Sequence, residues 1–190
     1  MSIPRPLNPS PTSFPNDTLG PIAARFYSSK PMSEIRSTPK IILQIPGGGF
    51  VTMNPKCHDD YTSAWSRQLP GIPIISLDYG KAPEHPYPWA LEEAFDAYRS
   101  IVESNGEVIG LTGWYHKDAN GKKVGPKRNP IQIVLVGDSA GANLGIGVVN
   151  KCLDLKNLKV PIPAGMMLLY PCLSLDMDCW YEVELESNAP

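Results

Sequence analysis

Short runs of apolar, β-branched residues alternate along this chain with segments of helical length, and this alternation constrains the fold more than any other feature of the sequence. The runs predict strands at Ile22–Tyr27, Ile41–Ile45, Ile72–Tyr79, Ile131–Val136 and Gly165–Tyr170. The segments between them predict helices over His58–Leu69, Pro88–Glu103 and Ala140–Leu153. Strands joined through helices form right-handed crossovers, so we expect an α/β protein with a mainly parallel sheet and flanking helices.

Two of the predicted helices are expected to turn an apolar face towards the sheet. In the helix over Pro88–Glu103, this face consists of Leu91, Phe95, Tyr98 and Val102. The opposite face, which we expect to be solvated, consists of Glu92, Asp96, Arg99 and Glu103. In the helix over His58–Leu69, the apolar face consists of Tyr61, Ala64, Trp65 and Leu69.

Two segments interrupt the alternation and suggest how the chain is organised. Residues 1–21 contain six prolines, which exclude a helix or a central strand and predict an extended N-terminal arm. Residues 22–190 are then expected to form part of an α/β domain. Within it, the polar stretch at about 104–130 is too long for an ordinary loop and predicts a surface insertion.

The composition excludes several functional classes. With 42% hydrophobic and 19% charged residues among 190, the chain is neither disordered nor a fibrous rod. Its net charge of −2 provides no basic surface for a nucleic acid, and no apolar run approaches the ~18–20 residues that span a bilayer. Because the N-terminus also has no apolar signal segment, we expect a cytoplasmic location.

No pattern of metal or cofactor ligands is present in the sequence. The cysteines are Cys57, Cys152, Cys172 and Cys179. They have neither the paired spacing of a metal site nor that of a disulfide framework, so reduced thiols are expected. Neither glycine cluster matches a nucleotide-binding motif, and we expect no metal and no cofactor.

The pentapeptide Gly137-Asp138-Ser139-Ala140-Gly141 fits the pattern G-x-S-x-G, and it lies directly between a predicted strand and a predicted helix. This context is the one required by a nucleophile elbow, a tight turn that presents a serine hydroxyl at the carboxyl edge of a sheet. A purely structural glycine turn is the alternative interpretation. The strand before it and the helix after it favour the nucleophile.

A second glycine cluster, Gly47-Gly48-Gly49, follows the strand Ile41–Ile45. Consecutive glycines allow bare backbone to approach a substrate and leave N–H groups free to bind a developing oxyanion. A flexible turn is the alternative. Two glycine-framed turns at the ends of two buried strands favour acyl-transfer chemistry over nucleotide binding.

Three motifs that occur together in this chain carry a family resemblance: Gly47-Gly48-Gly49-Phe50, the segment from Asp78 to Pro88, and Gly137-Asp138-Ser139-Ala140-Gly141. From about Ile22 to Pro171 the chain resembles the hormone-sensitive-lipase-like α/β-hydrolases, also called the α/β-hydrolase fold-3 domain. The resemblance implies an α/β-hydrolase fold and hydrolysis of carboxylic esters, from short acyl esters to lipids and sterol esters. A small-molecule ester would then be the partner.

The resemblance also implies roles for individual residues. Ser139 would be the nucleophile. The backbone N–H groups of Gly48, Gly49 and Ala140 would form the oxyanion hole. The segment from Asp78 to Pro88 would support the floor of the active site.

The chain departs from the family's pattern in two respects. The glycine motif of the family normally begins with histidine, where this chain has Pro46. In this fold an Asp or Glu and then a His follow the nucleophile along the chain. The histidines here are His58, His85 and His116. All of them precede Ser139, so the sequence identifies neither an acid nor a base.

The number of residues after Ser139 offers an explanation for the missing base. Only 51 residues follow it, and a helix and a strand use more than half of them. The acid and base of this fold follow two further strands, and each βαβ unit takes roughly 30 residues or more. We therefore expect an incomplete form of a serine hydrolase, truncated after the strand that follows the nucleophile helix.

Other interpretations stay open on the sequence alone. A non-catalytic relative that uses the pocket to bind a ligand, or an inactive relative, also fits a chain without a base. An upstream histidine is a further possibility, because His58 and His85 follow predicted strand ends. A position at a helix start or in a turn is the simpler interpretation of both histidines, and a role as base ranks below the chain order that this fold normally follows.

Overall fold

The computed structural model describes residues 1–7, 9, 19–125, 130–155, 158–171 and 173. The strands in this part of the chain are β1 (Ser2–Ile3), β2 (Ile22–Tyr27), β3 (Lys40–Ile45), β4 (Ile74–Asp78), β5 (His116–Lys117), β6 (Lys123–Val124), β7 (Gln132–Asp138) and β8 (Gly165–Leu169). The α-helices are α1 (Met32–Ile35), α2 (Asp59–Gln68), α3 (Trp89–Glu103) and α4 (Ala140–Asp154). Short 3-10 turns cover Pro55–His58 and Glu107–Ile109.

The main sheet has the strand order β1-β2-β4-β3-β7-β8. The pairs β4–β3, β3–β7 and β7–β8 are parallel, whereas β2 runs antiparallel to both β1 and β4. The inner strands are strongly apolar because helices cover the sheet, and Ile41, Leu43 and Ile75 are almost completely buried. The predicted α/β architecture with a mainly parallel sheet is confirmed.

The predicted elements lie close to the observed ones, with differences at their ends. The strand expected over Ile72–Tyr79 begins only at Ile74. Pro73 has no N–H to donate to a neighbouring strand, and its carbonyl accepts a hydrogen bond from Ile42 N at 3.0 Å. The helix expected over His58–Leu69 is divided into a 3-10 turn and α2, which begins at Asp59.

The prediction of a solvated polar face on α3 is wrong. Glu92, Asp96 and Arg99 are all buried. Of the predicted face, Glu103 is exposed. The reason for the burial is that other elements cover α3 on this side as well: Lys151 of α4 binds both oxygens of Glu92 at 2.7 Å, and Arg5 binds Asp96 at 3.1 Å. Charged residues of α3 therefore form ion pairs with other parts of the structure. A prediction from hydropathy alone places such residues on the surface.

The prediction for the apolar face of α2 is also wrong. The buried residues of this helix are Thr62 and Ser66, whereas Leu69 is exposed. Thr62 Oγ1 donates a hydrogen bond to Gln44 Oε1 at 3.1 Å. Because Gln44 of β3 is a buried polar residue, the polar groups of Thr62 and Tyr61 on α2 bind there.

The first residues of the predicted arm are bound to the sheet. Ile3 in β1 is completely buried and pairs with Ile22. Arg5 lies between two carboxylates of α3, 2.6 Å from Glu93 Oε1 and 3.1 Å from Asp96 Oδ2. Residues 8 and 10–18 lie outside the described part of the chain.

The predicted insertion at about 104–130 begins within the core. Ile109 and Leu111 belong to the main hydrophobic cluster. Further along, β5 and β6 form a separate two-stranded antiparallel sheet.

Arg5 provides the first testable prediction, because its side chain is only 7% exposed. The substitution Arg5→Met leaves Asp96 without this cation, and removal of one partner of a buried pair is expected to lower the free energy of unfolding by about 3 kcal/mol. The matched control is Arg25→Met, whose pair with Asp59 lies in the solvent-exposed part of the structure and should contribute about 1 kcal/mol or less. Urea unfolding of both variants measures the difference, and equal losses would contradict a special role for the buried pair.

Two of the cysteines lie in the described part of the chain, and their environments differ. Both are free thiols; Cys57 is exposed and Cys152 is buried on α4. Burial raises the pKa of the Cys152 thiol to about 11. At about pH 8 we therefore expect iodoacetamide to modify Cys57 and to spare Cys152, since the thiolate is the reactive form. Peptide mapping tests this, with the urea-unfolded chain as the control in which both thiols react.

Candidate active site

Two neighbouring parallel strands bring the predicted site residues to one edge of the sheet. Strands β3 and β7 pair in register, with Ile45 opposite Gly137. The glycine turn after β3 and the turn after β7 therefore meet at the carboxyl edge. An ideal Cβ on Gly141 would lie 1.9 Å from the carbonyl oxygen of Ile45, which shows how closely the two turns approach.

Ser139 connects β7 to α4 in a strained backbone conformation, with φ 49° and ψ −120°. Positive φ is unfavourable for a residue with a side chain, and such strain persists where the surrounding structure holds it in place. Here Ser139 N donates to Leu169 O at 2.9 Å, and Ser139 O accepts from Ala142 N at 3.0 Å. The glycines on either side are needed, because a Cβ on Gly137 would lie 2.5 Å from Gly141 O.

The glycine turn presents N–H groups beside this serine. Gly48 and Gly49 have φ values of 129° and 61°, which favour glycine. Within the described residues, neither N–H has a protein acceptor. Ala140 is the first residue of α4, so its N–H also lacks an intrahelical acceptor, and it lies at the positive end of the helix dipole.

The segment from Asp78 to Pro88 supports the glycine turn through two hydrogen bonds. The Tyr79 hydroxyl donates to Pro46 O at 2.7 Å, and Ala82 N donates to Phe50 O at 3.0 Å. The segment is itself tied to α3, because Gly80 N donates to Glu93 Oε2 at 2.6 Å. These contacts agree with the supporting role that the family resemblance implies.

Sequence reasoning did not single out Asp138, although it lies within the pentapeptide. Its carboxylate is buried, and Oδ1 accepts from Gly47 N at 3.1 Å. Tyr61 and Tyr170 donate their hydroxyls to it at 3.4 Å each. Burial and then the negative charge of Asp138 raise the pKa of Tyr61; for Tyr170, the charge of Asp138 is the larger cause of the raised pKa.

Neither of the two histidine side chains that the structure describes, those of His58 and His85, hydrogen-bonds to the Ser139 hydroxyl. His58 is buried and directs Nε2 towards Asp138 Oδ2 at 3.3 Å. His85 is exposed and stacks on Trp89, with ring centroids 4.4 Å apart. His116 lies in β5, within the separate two-stranded sheet.

An apolar cavity of about 500 Å³ lies next to the two turns. Phe50, which directly follows the glycine turn, lines one side. Asn143 and Leu144, in the first turns of α4, line another, and Leu91 of α3 contributes to its wall. Cavities of this size and character are typical of sites for small apolar ligands.

Two features are absent from the described residues. None of the helices found there is both long and apolar enough to cross a membrane. The same part of the chain contains no group of three or more His, Cys, Asp or Glu residues arranged to hold a metal ion.

Comparison with known sequences identifies relatives along most of the chain. A family model described as alpha/beta hydrolase fold matches residues 42–188. Hormone-sensitive lipase of Mus musculus is 37% identical over 155 residues, which cover 78% of this chain and 18% of the lipase. An esterase of Acinetobacter venetianus is 30% identical over 145 residues, which cover 74% of this chain and 38% of the esterase. The chain thus spans less than two fifths of the length of either relative.

Solved structures show the same relationship. EstE7, a homologue of hormone-sensitive lipase from a metagenome library, matches with a TM-score of 0.58 and 26% identity, covering 88% of this chain and 46% of EstE7. The esterase LipW from Mycobacterium marinum matches with the same TM-score and identity, covering 81% of this chain and 40% of LipW. The motifs, the sheet, the family match and these relatives agree, and the chain belongs to the hormone-sensitive-lipase-like family of α/β-hydrolases.

Proposed function

We propose that this protein is a serine carboxylic-ester hydrolase, with Ser139 as the nucleophile and the N–H groups of Gly48, Gly49 and Ala140 as the oxyanion hole. One observation carries the proposal: a serine in a strained strand-to-helix turn lies directly beside a glycine turn in which the N–H groups of Gly48 and Gly49 have no acceptor among the described residues. Hormone-sensitive lipase and the esterases among the relatives support an ester as the substrate.

In the proposed reaction, Ser139 Oγ attacks the carbonyl carbon of a small-molecule ester and gives its proton to a general base. The carbonyl π electrons move onto oxygen, and each N–H donor of the oxyanion hole stabilises the resulting charge by ~3–4 kcal/mol. The tetrahedral intermediate expels the alcohol, which takes up the proton, and an acyl ester remains on Ser139. Water then attacks this ester, releases the carboxylic acid and restores the serine.

We place the base, and the acid that orients it, outside the described residues, so that the 190-residue chain is an incomplete form of the hydrolase. No histidine follows Ser139 in the sequence, although this fold normally has its base there. The two described histidine side chains have other partners, Asp138 for His58 and Trp89 for His85.

The apolar cavity is the proposed site for the hydrocarbon part of the ester. Phe50 extends from the glycine turn into its lining, and Leu144 lies on α4 little more than one turn after Ser139. A group bound there lies beside a carbonyl that occupies the oxyanion hole. The lining is predominantly apolar, which favours an acyl or alcohol chain over a charged group.

Acylation of Ser139 tests the proposal on the 190-residue chain. Without a base both the acylation of Ser139 and the hydrolysis of the acyl-enzyme are slow, so the adduct should form slowly and then persist during prolonged incubation with p-nitrophenyl butyrate. Mass spectrometry of the digested protein is expected to find a butyryl group on the peptide that contains Ser139. The Ser139→Ala variant should lack this adduct.

Two outcomes would contradict the proposal. One is butyrylation confined to surface lysines, with none at Ser139. The other outcome is that the ester binds without acylating Ser139, both in this chain and in a longer form that contains an Asp and then a His at the family's spacing. That result would favour the non-catalytic, ligand-binding alternative.

A further inference from the structure

His58 and Asp138 form a buried pair that the proposed reaction does not use. The side chains of His58 and Asp138 are 5% and 9% exposed, and Nε2 lies 3.3 Å from Oδ2. The other ring nitrogen, Nδ1, lies 3.3 Å from the carbonyl oxygen of Asn54. Each nitrogen therefore faces an oxygen that accepts hydrogen bonds, and the ring is held from both sides in one orientation.

The Asp138 carboxylate joins the two halves of the proposed oxyanion hole. It belongs to the residue immediately before Ser139, and its Oδ1 accepts the N–H of Gly47, immediately before Gly48. The contact is close, because a Cβ on Gly47 would lie 2.4 Å from Asp138 Oδ2. Rotation of this carboxylate would therefore release or displace the glycine turn.

The glycine turn has few other attachments at its start. Pro46 stands where the family normally has histidine, and proline contributes neither an N–H nor a polar side chain. Its carbonyl is bound by the Tyr79 hydroxyl, so the turn is held at Pro46 O and at Gly47 N. Of these two attachments, the second depends on the orientation of Asp138.

We propose that His58 is a positioning residue, which holds the Asp138 carboxylate against Gly47 N–H and so keeps the Gly48 and Gly49 N–H groups directed at the carbonyl bound beside Ser139. This inference rests on the proposed function for its catalytic consequence. Its structural part, that His58 controls the bond between Asp138 and Gly47, can be measured without catalysis.

The test compares His58→Phe, which keeps a ring but has no donor, with His58→Gln, whose side-chain amide retains an N–H that reaches towards Asp138. In the phenylalanine variant, we expect amide hydrogen exchange at Gly47 to become at least about 10-fold faster, while the strand amides of β3 and β7 stay unchanged. The glutamine variant should restore most of the protection. The control is Ser100→Ala, which removes a buried hydrogen bond to Pro4 O that lies outside this network.

The second measurement is the rate at which p-nitrophenyl butyrate acylates Ser139. Small displacements of catalytic donors typically cost about 100-fold. We expect a loss of about that size at saturating ester in His58→Phe, with the half-saturating concentration little changed, because the oxyanion forms only after binding. The loss should be largely recovered in His58→Gln.

The outcomes separate this inference from the proposed function. Unchanged Gly47 exchange in a folded His58→Phe variant overturns the inference, even if the variant melts at a lower temperature. Absence of acylation in the unsubstituted chain contradicts the proposed function, and the exchange measurement still decides the role of His58. If the phenylalanine variant does not fold, His58→Asn, whose shorter amide ends before Asp138, takes its place with the same expected results.

Discussion

Replacing Ser139 by alanine is expected to abolish acyl transfer by this protein. In a serine hydrolase with a complete triad, loss of the nucleophile typically lowers the rate by about 10⁶-fold. The described chain has no base, so its acylation is already slow, and the expected effect of the substitution is loss of the Ser139 adduct rather than a rate ratio of that size. The chain retains the oxyanion hole after the substitution, because Gly48, Gly49 and Ala140 contribute only backbone atoms. The measurement is the formation of the Ser139 butyryl adduct, followed with p-nitrophenol release.

A matched control for this substitution is Ser76→Ala. The Ser76 hydroxyl is buried in β4 and has no hydrogen-bond partner in the described structure, so its removal costs no bond and should leave acylation unchanged. Equal rates of acylation in the unsubstituted chain and in Ser139→Ala would show that another group is acylated, and would remove Ser139 from the proposed mechanism.

The second large effect is expected at Gly141, where alanine should lower the free energy of unfolding by more than about 4 kcal/mol. The added Cβ would lie 1.9 Å from Ile45 O and 2.7 Å from the carbonyl carbon of the same residue. Both atoms are backbone of β3, so no side chain can move aside. Urea unfolding measures the loss, and a failure of the variant to fold is the extreme form of the same result.

Gly145→Ala is the control for this prediction, because the same substitution in the same helix should have the opposite sign. The nearest atoms to a Cβ at Gly145 lie 3.8 Å away or further, which is ordinary van der Waals contact. Alanine there should stabilise α4 by about 0.5–1 kcal/mol. A small effect at both positions would mean that the two turns are not packed as closely as the structure has them.

Local patterns were sufficient to predict the catalytic edge of the sheet. The two glycine turns follow apolar runs that can only be strands, and parallel strands place their carboxyl ends at one edge. Tight turns also require small residues next to Ser139, and the approach of Gly141 to Ile45 provides the physical reason. The family resemblance then implies roles for Ser139, Gly48, Gly49 and Ala140, and these roles stay proposals until acylation is measured.

Residues whose partners are distant in sequence could not be placed from the chain alone. Asp96 and Arg5 are 91 positions apart, and His58 and Asp138 are 80 apart. A helical pattern sorts residues by hydropathy and cannot show that a carboxylate is buried against a distant cation. For this reason the sequence predicts a solvated face for α3 and suggests for His58 only a place at a helix start or turn, or a role as base.

By itself, the sequence determined the α/β class of this protein, the position of one glycine turn after each of two buried strands, and its family. These properties depend on residues within a few positions of one another, where periodicity and backbone sterics are decisive. Only the tertiary structure decided which polar groups are buried, and it showed that Asp138 connects the nucleophile turn to the glycine turn. A buried charge depends on partners that folding brings together. Here they come from the segment after β1, from α3, from the turn before α2 and from β7.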